Sequence, residues 1–204
     1  MTTRVLTPEQ LDLAVELLAG GSVLAVPTDT VYGLAAVLGD RAAVGRLSAL
    51  KRRPRALPIA VLCASVDEAC ELSSSWPPSA AALSAALWPG PLTLVVPALS
   101  GLAARLGSTS SVGVRVPDDA ICRALLERTG PLAVTSANLH GAPPATTAAG
   151  VLALFEGTDL VGVLDAGARD GEVSSVVDVT GVAPEIVREG ALSRDALLAL
   201  LTRG

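Results

Sequence analysis

Aromatic side chains are almost missing from this chain: one Phe, one Tyr and two Trp in 204 residues. A core must therefore be built from Ala, Val and Leu, and a hydrophobic content of 50% supplies enough of them for one domain. The same scarcity removes the stacking platforms on which single-stranded nucleic acids are usually held. A basic excess is missing too. Fifteen Lys and Arg against 20 Asp and Glu leave a formal charge of −5, which speaks against a protein that coats nucleic acid by counterion release. Histidine occurs once, and Cys63, Cys70 and Cys122 form no CxxC pair, so no common zinc site can be completed. Such sparse cysteines read as reduced thiols of a cytoplasmic protein. The N-terminus has no apolar run of the signal-peptide kind. No charge lies between Glu71 and Arg105, yet Pro77, Pro78, Pro89, Gly90, Pro91 and Pro97 break that stretch too often for a membrane-spanning helix. The expectation is a soluble, cytoplasmic single domain over residues 1–204.

Local signals predict alternating helices and strands. Thr7-Pro8-Glu9-Gln10 reads as a helix start, Leu11, Val15 and Leu18 as its apolar stripe, and Gly20-Gly21 as its end. Ser22 to Val26 is a strand stopped by Pro27. Asp40 caps a helix through Leu50. Ile59 to Cys63 is a strand, Ser65 to Glu68 a capping box, and Ser79 to Leu87 a helix. Strands are expected at Leu92 to Val96, Val112 to Val116 and Leu132 to Thr135, the last two separated by a helix that Asp118 can cap. A helix around Thr147 to Phe155, strands at Leu160 to Leu164, Ser175 to Val179 and Glu185 to Val187, and a helix from Ser193 complete the pattern. The alternation points to a layered α/β domain.

Polar clusters follow the apolar strands. Thr28-Asp29-Thr30 comes after the first, Arg115 lies within Val112 to Val116, and Ser136-Ala137-Asn138 follows Leu132 to Thr135. Strand ends of α/β sheets are where ligands bind, although Ser, Asn and Asp also cap turns routinely. Lys51-Arg52-Arg53-Pro54-Arg55 is the densest cation cluster in an acidic chain, and its self-repulsion would be relieved by an anion such as a polyphosphate. A solvated surface loop or a nucleic-acid contact stays open for the same residues. These cations are expected on an exposed loop, contributing little to stability. Neither GxxxxGK[ST] nor GxGxxG occurs, so any ATP must be held by side chains rather than a glycine cradle. His140, four residues from Ser136, has no base–nucleophile motif around it and reads as a surface-loop histidine.

Taken together, the blocks Pro27-Thr28-Asp29-Thr30-Val31-Tyr32-Gly33-Leu34, Lys51-Arg52-Arg53-Pro54 with Pro58, and Val112-Gly113-Val114-Arg115-Val116-Pro117 resemble those of the YrdC-like family. So do Trp88 to Thr93, Ser136-Ala137-Asn138, Ser174 to Asp178 and Ile186 to Gly190, in the family's order. The resemblance implies an α/β fold with a twisted mixed sheet, flanking helices and a large open cavity. It implies threonylcarbamoyl-AMP synthase activity, a nucleotidyl transfer that consumes ATP, L-threonine and bicarbonate and releases pyrophosphate. By position, Thr30 and Arg115 would hold L-threonine, and Lys51 and Arg53 would be catalytic through the ATP phosphates. Ser111, Ser136, Asn138, Ser174 and Arg188 would complete the ATP site. Mg²⁺ is expected only as carried by ATP, with no protein-bound metal. The implied partner is a threonylcarbamoyl transferase acting on tRNA, with direct tRNA contact left open. Leu57, Leu62, Pro144 and Val173 depart from residues common in the family. The alternatives are an RNA-binding YrdC-like module, a paralogue without synthase activity, or an enzyme making a different acyl-adenylate.

Overall fold

Short runs of Val, Leu and Ala, each too apolar to stay in solvent, pair edge to edge through most of the chain. The computed structural model describes residues 3–52, 54 and 57–201. The first half contains β1 (Arg4–Leu6), a 3-10 turn (Pro8–Gln10), α1 (Leu11–Ala19), β2 (Leu24–Val26), β3 (Gly33–Val37), α2 (Arg41–Leu50), β4 (Ala60–Leu62), α3 (Val66–Glu71) and α4 (Pro78–Leu87). There follow β5 (Leu92–Pro97), α5 (Leu102–Arg105), β6 (Ser111–Arg115), α6 (Ala120–Thr129), β7 (Leu132–Ser136), α7 (Ala148–Leu154), β8 (Gly162–Leu164), β9 (Ser175–Asp178), β10 (Glu185–Arg188) and α8 (Arg194–Leu201). The ten strands form one mixed sheet in the order β1-β8-β2-β3-β7-β4-β6-β5-β9-β10. No helix among the described residues is long and apolar enough to cross a membrane.

The two faces of this sheet are covered unequally, and that asymmetry creates the site. Alternate strand residues face opposite ways. Ala25, Leu34, Ala36, Val61, Leu92, Leu94, Val114 and Val177 share one core with buried residues of α2, α4, α7 and α8. Leu24, Val26, Ala35, Leu62, Leu132 and Val134 share the other with Ala14 and Leu18 of α1 and Cys122, Leu125 and Leu126 of α6. These two helices pack on each other and reach only part of that face. Beyond them, alternate residues of β4, β6, β5 and β9 line an open cavity: Ala60 and Leu62, Gly113 and Arg115, Thr93 and Val95, Val176 and Asp178.

Most predicted elements are present, and the differences have local reasons. β3 was not expected as a strand, because Gly33-Leu34-Ala35-Ala36-Val37 has weak β-propensity. It forms because β2 and β7 pair with it on both sides, from Gly33 opposite Ser136 to Val37 opposite Leu132. A Cβ on Gly33 would come within 2.6 Å of Val134 Cγ1, so only glycine permits this close pairing. β1 and α5, only 3 and 4 residues long, carry no periodic signal of their own. Asp119, not Asp118, caps α6: its Oδ1 accepts the Cys122 N–H at 2.7 Å, while Asp118 stands one residue too early. The helix predicted from Thr7 opens as a 3-10 turn, with Gln10 Oε1 accepting the Thr7 N–H at 3.0 Å, before α1 begins.

The cap of α2 matters because this helix delivers Lys51 to the cavity. Asp40 Oδ1 accepts the N–H groups of Ala42 and Ala43 at 2.9 and 3.0 Å. Asp40→Ala is expected to cost about 1 kcal/mol, and to lower Tm by about 2–4 °C in a chain of this size. Differential scanning calorimetry measures it; an unchanged Tm would show the cap to be dispensable.

Candidate active site

The cavity has a volume of about 620 Å³ and is walled by strand floors, the Thr28–Thr30 turn and the loops after β7 and before β9. Thr30, Lys51, Ser111, Arg115, Ser136, Asn138, Ser174 and Arg188 were singled out in the sequence. All of them line this cavity except Thr30, which is tied to it through Arg115. Arg53 lies outside the described residues.

Arg115 ends β6 and is 5% exposed, so its charge needs partners. Three groups on two loops provide them. Nε donates to the Gly90 carbonyl at 2.9 Å, a guanidinium NH₂ donates to Thr30 Oγ1 at 3.1 Å, and the other pairs with Asp29 Oδ1 at 2.5 Å. Gly90 is itself required: a Cβ there would sit 2.3 Å from the Leu87 carbonyl oxygen. The turn carrying Asp29 and Thr30 is locked by Thr28, whose Oγ1 accepts the N–H groups of Thr30 and Val31, both at 3.2 Å. Thr28 also donates its only hydroxyl proton to the Val31 carbonyl at 2.6 Å. Thr30 must then be the donor in the 2.9 Å contact between the two hydroxyls. With its proton committed and one lone pair on Arg115, Thr30 Oγ1 offers a ligand an acceptor site only.

Lys51 lies at another wall of the cavity, and its place corrects the expectation of an exposed cation. It follows α2 as its C-cap and is 4% exposed. Nζ donates to the Ser136 carbonyl at 2.5 Å, to Asn138 Oδ1 at 2.6 Å and to Ser136 Oγ at 3.3 Å. Ser136 Oγ also donates to Asn138 Oδ1 at 2.6 Å, and Asn138 Nδ2 donates to the carbonyls of Leu139 and Ala142 at 2.9 and 2.7 Å. Asn138, expected among the nucleotide contacts, thus spends its polar atoms within the protein and orients Lys51 and Ser136. Arg52 is exposed and takes φ = 51°, which turns the chain sharply after Lys51.

The remaining polar wall comes from the C-terminal strands. Ser174 Oγ lies 2.9 Å from Thr93 Oγ1, and Arg188 brackets Ser174 with bonds of 2.8 and 3.0 Å to its carbonyl and 3.1 Å to its hydroxyl. Arg188 stays open to solvent at the rim, yet packing removes water from part of its guanidinium. That desolvation, followed by repulsion from Arg115, lowers its pKa. Two mutually repelling guanidinium groups facing one space favour an anion between them. Ser111 pairs with Ser108 at 3.1 Å beside the same cavity. His140 is exposed at the margin, its backbone N–H on the Lys51 carbonyl. Burial pushes the thiols of Cys63 and Cys122 well up, which leaves both unreactive. Among the described residues, no group of three or more His, Cys, Asp or Glu side chains is arranged to hold a metal ion.

The family model for Sua5, YciO and YrdC proteins, described as telomere recombination, matches residues 16–190. The chain belongs to the Sua5/YciO/YrdC family. A Mycobacterium leprae protein provisionally named threonylcarbamoyl-AMP synthase is 41% identical over 183 residues, 88% of this chain and 82% of that relative. Threonylcarbamoyl-AMP synthase of Pyrococcus abyssi is 36% identical over 187 residues, 90% of this chain but 54% of its own length. The crystal structure of P. abyssi Sua5 complexed with L-threonine superposes with a TM-score of 0.91 at 31% identity, covering 98% of this chain. This chain spans only 61% of that longer structure.

Within this family frame the departing residues have distinct settings. Leu62 is buried in the floor beside Arg115, its register partner across β4 and β6, and Val173 lines the cavity before Ser174. Leu57 is exposed at the cavity edge, while Pro144 is half-buried in the loop after β7 and away from the lining. Sequence reasoning missed Asp29, Gly90 and Thr93. Asp29 lay in plain view between two threonines, but only the fold brings it to Arg115. The buried setting of Lys51 also changes its expected contribution to stability. Lys51→Ala should destabilise the protein by about 1–3 kcal/mol, because it leaves the half-buried acceptors of Ser136 and Asn138 without their ammonium donor, whereas Arg52→Ala should stay within about 0.5 kcal/mol. Urea denaturation of the two variants side by side measures this, and equal midpoints would refute it.

Proposed function

We propose that this protein makes threonylcarbamoyl-AMP from ATP, L-threonine and bicarbonate. The observation that carries the reading is one cavity that holds two buried cations, Arg115, backed by Thr30, and Lys51, beside the Ser136 hydroxyl. Family membership and the name shared by its curated relatives point the same way. Arg115 receives the threonine carboxylate, and Thr30 accepts a hydrogen bond from the amino acid's N–H or O–H. The threonine nitrogen and bicarbonate form a carbamate with loss of water. A carbamate oxygen then attacks the α-phosphorus; the α–β bridging P–O bond breaks, and its electron pair leaves with pyrophosphate. Such a substitution needs alignment and charge stabilisation rather than a protein nucleophile.

In this reading Lys51 and Arg53 offset the charge that moves onto pyrophosphate, and Ser111, Ser136, Ser174 and Arg188 hold the nucleotide. Asn138 acts through Lys51. Mg²⁺ enters with ATP, and the product passes to a threonylcarbamoyl transferase that modifies tRNA. Pyrophosphate release should require both L-threonine and bicarbonate. Undiminished release with threonine omitted would refute the assignment. Thr30→Val keeps the shape but loses the acceptor, and should raise the KM for threonine about tenfold, one hydrogen bond's worth. Thr30→Ser should stay within about threefold. Initial rates against threonine concentration separate the two; equal KM values would remove Thr30 from the site.

A further inference from the structure

We infer that Asp29 is a positioning residue for amino-acid recognition: its carboxylate fixes the guanidinium of Arg115 in the orientation that receives the substrate carboxylate. The inference rests on the proposed reading of Arg115 and concerns a residue to which that reading gives no role. An arginine side chain has about 2 kcal/mol of rotamer freedom to lose, so a recognition arginine is effective only when something else has already ordered it. Arg115 is ordered from three sides, by the Gly90 carbonyl, Thr30 and Asp29. These bonds use three of its five N–H donors and leave one on each terminal nitrogen, a pair suited to a carboxylate's two oxygens.

Asp29 provides the only charged partner of the three, at the shortest distance, 2.5 Å, with side-chain exposures of 6% for Arg115 and 13% for Asp29. Its own backbone is held by the Thr28 bonds to the two following N–H groups, so the carboxylate is presented from a rigid turn. The ion pair also moderates the local charge. Without Asp29, Arg115 would lose its ion-pair partner while the repulsion from Arg188 remained. With it, the guanidinium stays at the floor beside Thr30, with its remaining donors held in one orientation.

The test uses the intact enzyme and compares Asp29→Ala and Asp29→Asn with wild type. KM values for L-threonine and for ATP are measured separately by pyrophosphate release, together with Tm. Asp29→Ala should raise the threonine KM tenfold or more and leave the ATP KM within threefold. Asp29→Asn, which keeps an acceptor oxygen without the charge, should fall between Asp29→Ala and wild type. A residue that merely stabilises the fold would lower Tm and leave both KM values unchanged; that outcome overturns the inference. Should Asp29→Ala fail to fold, Asp29→Asn decides: a threefold or greater rise in threonine KM supports the role, and a smaller one overturns it. Turnover by wild type without threonine would instead refute the carboxylate reading of Arg115, and the role of Asp29 with it.

Discussion

A buried guanidinium cannot be left without partners, and the Arg115 site is organised around meeting that requirement. Taking the charge of Arg115 out of water would cost several kcal/mol if its donors found only apolar neighbours. The protein answers with the Asp29 carboxylate, the Thr30 hydroxyl and the Gly90 carbonyl, drawn from the loop after β2 and from the turn before β5. Each of those groups is in turn constrained, Asp29 and Thr30 by the hydroxyl of Thr28 and Gly90 by the lack of room for a side chain. The arrangement is therefore set before any ligand arrives, which is what makes a site selective.

The same logic repeats at Lys51. Its ammonium is enclosed by Ser136 and Asn138, and Asn138 is itself saturated by carbonyls of the loop that follows. An anion reaching Lys51 has to share or replace the bonds to Ser136, so recognition and local rearrangement are linked there. Arg115 has donors to spare, whereas Lys51 is already committed. The two cations are thus unlike in readiness, one presenting open donors and the other exchanging partners.

Both depend on the unequal covering of the sheet. Helices pack along one face through Val, Leu and Ala, while α1 and α6 cover only part of the other. Small residues such as Ala60 and Gly113 floor the uncovered part, and the polar side chains stand around it. A chain with hardly any aromatics still closes both cores, mainly with Val, Leu and Ala.

The sequence by itself determined the alternation of strands and helices, most caps, and the blocks around Thr28–Thr30, Lys51, Arg115, Ser136 and Ser174. Those features are local: an apolar run, an Asp or Ser one residue before a helix, a polar cluster after a strand. Only the tertiary structure decided that Gly33 to Val37 is a strand, since its stability comes from two neighbours rather than from its own propensity. It alone decided that Lys51 is buried rather than part of a solvated loop, and that Asn138 serves Lys51. The pairing of Asp29 with Arg115, 86 residues apart in sequence, was likewise illegible beforehand. A hydrogen bond between distant residues leaves no mark in either one's neighbourhood along the chain; it exists only once the loop after β2 reaches the end of β6, with three strands between β2 and β6 in the sheet.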